Sequence, residues 1–266
     1  MYAFEYLRAN TLAEAGAMLA AHPEAKLLAG GQTFIPTLKA RLAQPTHVID
    51  LGRIKDLAGI ASTGGALVIG AMARHVAVAN SAAVKKVIPA LAALALEIGD
   101  QQVRNRGTLG GSVANNDPAA DYPAAVLGLD ATVVTTKREI PADAYFQGMF
   151  ATSLEEGEIV TAVRFPVPKR AAYCKFHHPA SGYAMAAAFV AETAGGVRVA
   201  ITGAGSGGVF RWSEAEAALG KKFAAASLEG LKIDEGMCLS DLHAGADYRA
   251  HLAAVMTKRA VQKITG

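Results

Sequence analysis

The sequence predicts an α+β protein of two units, a larger one over residues 1–168 and a smaller one over residues 169–266. Three observations lead there. Strand-like and helix-period segments intermingle over roughly the first 165 residues. The run Val167-Pro168-Lys169-Arg170 then reads as a border. After it come three strand-like runs and, at the end, a single long amphipathic stretch. The length of 266 residues also exceeds the ~100–200 residues usual for one domain, and an apolar fraction of 52 % is enough to bury a core.

The elements follow in order. Phe4 to Leu7 reads as a strand, and Asn10-Thr11 offers a cap for a helix whose face is Leu12, Ala15, Met18 and Leu19. Lys26 to Ala29 is extended and ends in Gly30-Gly31; Ile35 to Leu42 has helical spacing, and His47 to Leu51 is strand-like. Leu67 to Gly70 is another strand, followed by helical stretches Val76 to Ser81, Val84 to Ile88 and Leu91 to Ile98. Gln101 to Val113 reads as irregular and Gly-rich, and Asp117-Pro118 as the start of a helix over Ala119 to Leu129. Thr132 to Thr136 is β-branched and strand-like. Ile159 to Phe165 is a strand stopped by Pro166 and Pro168. These segments divide the larger unit into two α+β subdomains. In the smaller unit Tyr173 to His177, Met185 to Glu192 and Val197 to Thr202 predict a three-stranded antiparallel sheet, with Gly195-Gly196 as a hairpin turn. Tyr248 to Ile264 is the final helix.

Charge and cysteine content exclude several classes of function. The net charge of +3 is spread over scattered residues, with only pairs such as Lys85-Lys86, so no basic stripe for nucleic acid exists. The two cysteines, Cys174 and Cys238, cannot build a Cys-ligated zinc or iron–sulfur site; they could form one disulfide but read better as buried free thiols. No apolar run is long enough for a membrane span, and the amino end lacks a secretory h-region, so a cytoplasmic protein is expected.

Two segments carry chemistry. In Leu27-Leu28-Ala29-Gly30-Gly31-Gln32-Thr33-Phe34, two glycines join an extended run to a helix. Successive N–H groups in such a turn make an anion cradle, and an ordinary Gly-Gly turn is the plainer alternative. The second, Thr108-Leu109-Gly110-Gly111-Ser112, repeats the pattern and runs on to Asp117 and Asp121. A downstream carboxylate can take a sugar hydroxyl or an adenine amino group, although Asp117 reads better as a helix cap. Two such cradles about eighty residues apart fit a pyrophosphate gripped from two sides, and hence a dinucleotide.

These residues also carry a resemblance. Ala29 to Thr33, with Pro36, Lys39 and Arg41 behind them, and Thr108 to Ser112, approached by Gln102 to Asn105, resemble the two glycine loops of the FAD-binding medium subunit of the xanthine dehydrogenase and carbon monoxide dehydrogenase (molybdenum hydroxylase) family. Asp117 to Asp121, Glu158 to Pro168 and Lys175 to Met185 are similar to further stretches, in the same order. The resemblance implies an FAD-binding domain of the vanillyl-alcohol oxidase (PCMH) type with a smaller C-terminal flavoprotein domain. It places residues 27–34 around the pyrophosphate and ribityl chain, with Thr108, Gly110, Gly111 and Ser112 opposite. Asp121 becomes an acidic cofactor contact; Ile98, Val160 and Lys175 are further contacts, and Tyr183 lies against the flavin. The family's partners are a molybdopterin-binding large subunit and a two-iron two-sulfur small subunit, as a dimer of heterotrimers, with NAD, a quinone or oxygen as acceptor. Ser112 replaces an Asp or Asn of several relatives, and His177-His178 stand where many carry basic residues. A self-contained FAD oxidoreductase and an assembly subunit without FAD are the alternatives.

Other patterns carry less. Gly203 to Gly208 matches GxGxxG formally, but no second strand with a terminal acid follows it. His177 and His178 would point to opposite faces of a strand and share no metal. Asp241 and His243 read as a solvated loop. No nucleophile or acid–base residue is needed, because a flavin subunit binds and orients its cofactor.

Overall fold

The computed structural model describes all 266 residues. The amino-terminal part comprises β1 (Glu5–Arg8), α1 (Leu12–Ala21), β2 (Lys26–Leu28), α2 (Phe34–Lys39) and β3 (His47–Asp50). Its strands form a parallel sheet in the order β1-β3-β2. Helix α1 starts at Thr11, whose hydroxyl accepts from Glu14 N at 3.1 Å, while the Glu14 carboxylate accepts from Asn10 N at 2.7 Å. This reciprocal capping satisfies donors that a helix start leaves open. The core here holds only eight buried residues, and one of them, Ile159, comes from further along the chain.

The next stretch comprises β4 (Ile60–Thr63), β5 (Ala66–Gly70), α3 (His75–Asn80), α4 (Ala82–Val87), α5 (Pro89–Leu96), α6 (Gln101–Arg106), α7 (Leu109–Asn115), α8 (Tyr122–Gly128), β6 (Thr132–Thr135), β7 (Glu139–Pro141), α9 (Ala142–Tyr145), β8 (Phe146–Gly148), β9 (Ala151–Thr152) and β10 (Val160–Pro166). Its antiparallel sheet has the order β4-β5-β10-β6-β7, so β10 closes the centre after the helices have been laid down. Strands β8 and β9 form a separate hairpin.

The last part comprises β11 (Arg170–His177), β12 (Ala184–Thr193), β13 (Gly196–Thr202), β14 (Phe210–Arg211), α10 (Ser213–Lys221) and α11 (Ala246–Thr265). Its antiparallel sheet has the order β11-β12-β13-β14. Strand β12 carries five alanines and lies between α11 on one side and α8 on the other. Its alternation is readable in the packing. Ala187, Phe189 and Ala191 join the 35-residue core that contains Leu67, Val163 and Phe165, whereas Ala186, Ala188 and Val190 join a second core with Trp212 and Met256.

Several sequence expectations need correction. Residues 101–113 are two short helices rather than an irregular segment, each started by a capping side chain: Asp100 accepts from Val103 N at 2.7 Å, and Thr108 from Gly111 N at 3.2 Å. Asp117 does not cap a helix. Its carboxylate accepts from Ala119 N at 2.9 Å in an Asx turn, and α8 begins only at Tyr122. The C-terminal sheet has a fourth, two-residue strand, which also separates Gly208 from the following helix. Asp241 is no idle surface acid: it pairs with the buried Arg249 at 2.8 Å. Cys174 and Cys238 are free, as expected, although only Cys238 is buried. No helix is long and apolar enough to cross a membrane.

Candidate functional site

The two glycine segments meet. The turn after β2 (residues 29–33) lies directly against the link between α6 and α7. An atom in the place of a Gly30 Cβ would sit 2.2 Å from Arg106 O and 2.7 Å from Gly107 Cα. At Gly110 it would sit 2.7 Å from Ala71 Cα and 2.8 Å from Ala71 O. Both glycines are therefore required by backbone-to-backbone approach, independently of any ligand. Gly31 is required by conformation, with φ at +75°.

Between these segments opens a cleft of about 550 Å³, within the ~300–1,000 Å³ common for ligand sites. Leu27, Ala29, Gly30, Gly31, Gln32, Thr33 and Phe34 line it from the first segment, and Thr108, Gly110, Gly111 and Ser112 from the second. Ile98, Asp121, Val160 and Tyr183 complete the expected set. Two expected residues stand behind the wall. Leu28 supports the turn, its carbonyl accepting from Leu51 N at 3.0 Å. Lys175 reaches the site through Asp121, at 2.9 Å. Reading the sequence missed His75, Met72 and Asn115 as lining residues, and Asp117 lines the cleft despite its unremarked local turn. Only the short apolar strand before His75 could have hinted at the first two.

The two segments differ in what they offer an anion. None of the six consecutive N–H groups of Ala29 to Phe34 donates to the protein. The amino end of α7, in contrast, is internally satisfied: Leu109 N donates to Ala73 O at 3.0 Å, Gly110 N to Ala71 O at 2.8 Å, and Gly111 N to the Thr108 hydroxyl at 3.2 Å. The first segment is a nest of open donors; the second is a wall that contributes hydroxyls.

Beneath the cleft lies a buried charged cluster. Asp121 accepts from the Tyr173 hydroxyl and pairs with Lys175, whose ammonium also donates to Glu97 O at 3.0 Å. Burial pushes the Asp121 carboxyl up, and Lys175 and Tyr173 oppose that shift. Burial, with Arg104 adding to it, pushes the His75 imidazole down to about 4. His75 Nδ1 is a buried polar atom without a partner beside this cleft. Arg104 fixes the Ile98 corner, donating to Ile98 O at 3.1 Å and Gly99 O at 2.7 Å. An open row of amides, a hydroxyl wall, apolar flanks and a buried carboxylate fit a dinucleotide with an apolar ring system.

Comparison with known proteins identifies the family. The family model described as "FAD binding domain in molybdopterin dehydrogenase" matches residues 2–168. The carbon monoxide dehydrogenase medium chain of Hydrogenophaga pseudoflava is 35 % identical, over 97 % of this chain and 96 % of its own length. The nicotine 6-hydroxylase medium subunit of Paenarthrobacter nicotinovorans is 36 % identical over the same shares. The solved structure of reconstituted CO dehydrogenase from Oligotropha carboxidovorans superposes with a TM-score of 0.92 at 35 % identity, over 99 % of this chain and 98 % of that one. The chain belongs to the family of FAD-binding domains of molybdopterin dehydrogenases, alongside these medium subunits.

Proposed function

We propose that this chain is the FAD-holding subunit of a molybdenum hydroxylase complex, receiving electrons from iron–sulfur clusters and delivering them to an outside acceptor. FAD would supply the redox chemistry, since it takes up two electrons and returns them singly or as a pair. The protein's part is to bind and orient. The open amides of Ala29 to Phe34 would hold the pyrophosphate, with Thr108 and Ser112 donating hydroxyls from the other side. Leu27, Ile98 and Val160 would flank the rings, and Tyr183 would cover the flavin at the rim. Asp121, held in place by Tyr173 and Lys175, would take a polar cofactor group.

The observation that carries this reading is the row of six unpaired amides in a segment that lines one cleft together with the second glycine segment. The molybdopterin and the two-iron two-sulfur clusters would reside on a large and a small partner chain, as a dimer of heterotrimers in the cytoplasm, with NAD, a quinone or oxygen as acceptor. The relatives are named for substrates as different as carbon monoxide and nicotine, so the substrate belongs to the partner chain.

The test is an absorption spectrum of the purified chain, alone and co-expressed with its partner chains. Flavin bands that stay with the protein support the reading. A colourless, assembled complex in the presence of FAD overturns it. Substrate oxidation by the chain alone would replace it with a self-contained flavoprotein.

A further inference from the structure

One wall of the cleft has neither helix nor strand of its own: the link between α7 and α8, residues 116–121. Asp117, Ala120 and Asp121 line the cleft from it. Its carbonyls show what holds it. Asn116 O accepts from Phe150 N at 3.1 Å, Asp117 O from Ala120 N at 3.0 Å and Asp121 O from Ala124 N at 3.2 Å, all within the larger unit. The other two reach across to the end of β13. Gly203 N donates to Pro118 O at 2.8 Å. The Thr202 hydroxyl donates to Ala120 O at 2.7 Å, with Pro118 O at 3.1 Å also in reach.

The end of β13 is itself fixed. Thr202 is fully buried, and strand alternation turns its side chain to the face of Ala200, which packs in the large core with Tyr122 and Ala124 of α8. Gly203 has φ at +81°, and a Cβ there would sit 2.5 Å from Ala184 O, so only glycine fits. Its carbonyl accepts from Nη1 of the buried Arg249 on α11 at 2.9 Å, and the same nitrogen donates to Met185 O at 2.9 Å. Gly203 is thus engaged on both sides, its N–H on the cleft wall and its carbonyl on the last helix. This accounts for the glycine-rich run 203–208. The amide at its head is committed to Pro118, and Gly208 N donates to Gly205 O at 3.1 Å, so the run is a fastening rather than a phosphate loop.

We propose that Thr202 and Gly203 are positioning residues for the cofactor: they strap the 117–121 wall to the smaller unit, so that the cleft is shaped before its ligand arrives. Tyr173 and Lys175 hold the Asp121 side chain from the same unit. Both the backbone and the carboxylate of this wall are therefore set by residues beyond 168. A ligand that needs the wall in place binds in proportion to the fraction of molecules that have it so. Loosening the strap lowers that fraction, and with it the affinity, without removing any group that lines the cleft. That the ligand is FAD rests on the function proposed above; the strap itself does not.

The test uses the assembled complex, stripped of flavin, with two variants. T202V keeps the shape of threonine and removes the hydroxyl; T202S keeps the hydroxyl and removes the methyl. T202V leaves Ala120 O without its partner, and the loss of one hydrogen bond is worth roughly 2- to 10-fold. Hydrogen exchange of the backbone amides of residues 119–124 should quicken by that factor in T202V, and the Kd for FAD should rise by up to the same factor. T202S should match wild type in both, with only its Tm lowered by the lost methyl. A threonine that merely filled space would show the reverse, with T202V harmless. Unchanged exchange in T202V, T202S as fast as T202V, or exchange that rises equally in β5 and β10 would overturn the strap. Faster exchange with an unchanged Kd would overturn its role for the cofactor. A wild-type complex that takes up no FAD would sink the proposed function and leave the exchange result standing as the test of the strap.

Discussion

Replacing Gly30 by alanine tests how the cleft is built. A methyl group there would meet Arg106 O at 2.2 Å and Gly107 Cα at 2.7 Å, and both obstacles are backbone. No rotamer change relieves this, so the turn that carries the six open amides must move away from α7. Forcing extra carbon into a tight contact costs about 1–3 kcal/mol, and a rigid obstacle belongs at the upper end. A cost of about 2–3 kcal/mol in the bound geometry corresponds to roughly 30- to 140-fold weaker FAD binding. Gly31 is different. Its φ of +75° penalises any side chain, by about 1–2 kcal/mol, but the nearest obstacle is the flexible end of Ile35. The order of FAD affinity should therefore be wild type, G31A, then G30A, read by titrating flavin-stripped complex, with Tm checking that each variant folds. Wild-type affinity in G30A would refute the argument that this glycine sets the spacing of the two segments.

Three further outcomes are expected. G16A, at a half-buried position in the middle of α1 with nothing within 4 Å of the new methyl, should stabilise the protein by about 0.5–1 kcal/mol in denaturant unfolding. K175M should cost about 3–5 kcal/mol by stranding the buried Asp121 carboxylate, and adding D121N should recover part of that loss; strict additivity in the double-mutant cycle would argue against the pair. His75 is buried and neutral in the fold, with its pKa depressed to about 4. Its contribution is then complete above the unfolded value of about 6.5 and is lost as pH falls towards 4, by about 3 kcal/mol in all. H75Q should lack this component when unfolding free energy is measured against pH, and an unchanged slope between the two proteins would contradict it.

Much of the architecture was legible because it rests on local signals. The cap at Thr11, the β-branched run at Thr132 and the Gly195-Gly196 turn after β12 each appear in the sequence as they act in the fold. The misses have non-local causes. Strands β4, β7 and β14 are four residues or fewer and are defined by partners across the sheet. Helix α7 contains Gly110 and Gly111, poor helix formers, and is stabilised by the Thr108 cap and by packing against Ala71. For the site, the residues in the two glycine segments were readable from their spacing. Their division of labour was not, because a Gly-Gly pair looks the same whether its amides are open, as at Gly30, or internally bonded, as at Gly110. Lys175 shows the same limit, since it acts through Asp121 rather than from the wall.

Strand β12 bears on how the chain can be cut. The family match ends at residue 168, yet Tyr173, Ala184, Ala187, Phe189, Ala191 and Ala200 belong to the same core as Leu67 and Val163. The end of the family match is thus not a border of the core. A fragment stopping at 168 would bare the apolar underside against which β12 rests, an aggregation hazard. Expression trials, chimeras and domain swaps between relatives should therefore treat everything from β4 to the last helix as a single inheritance, and seek their joints elsewhere.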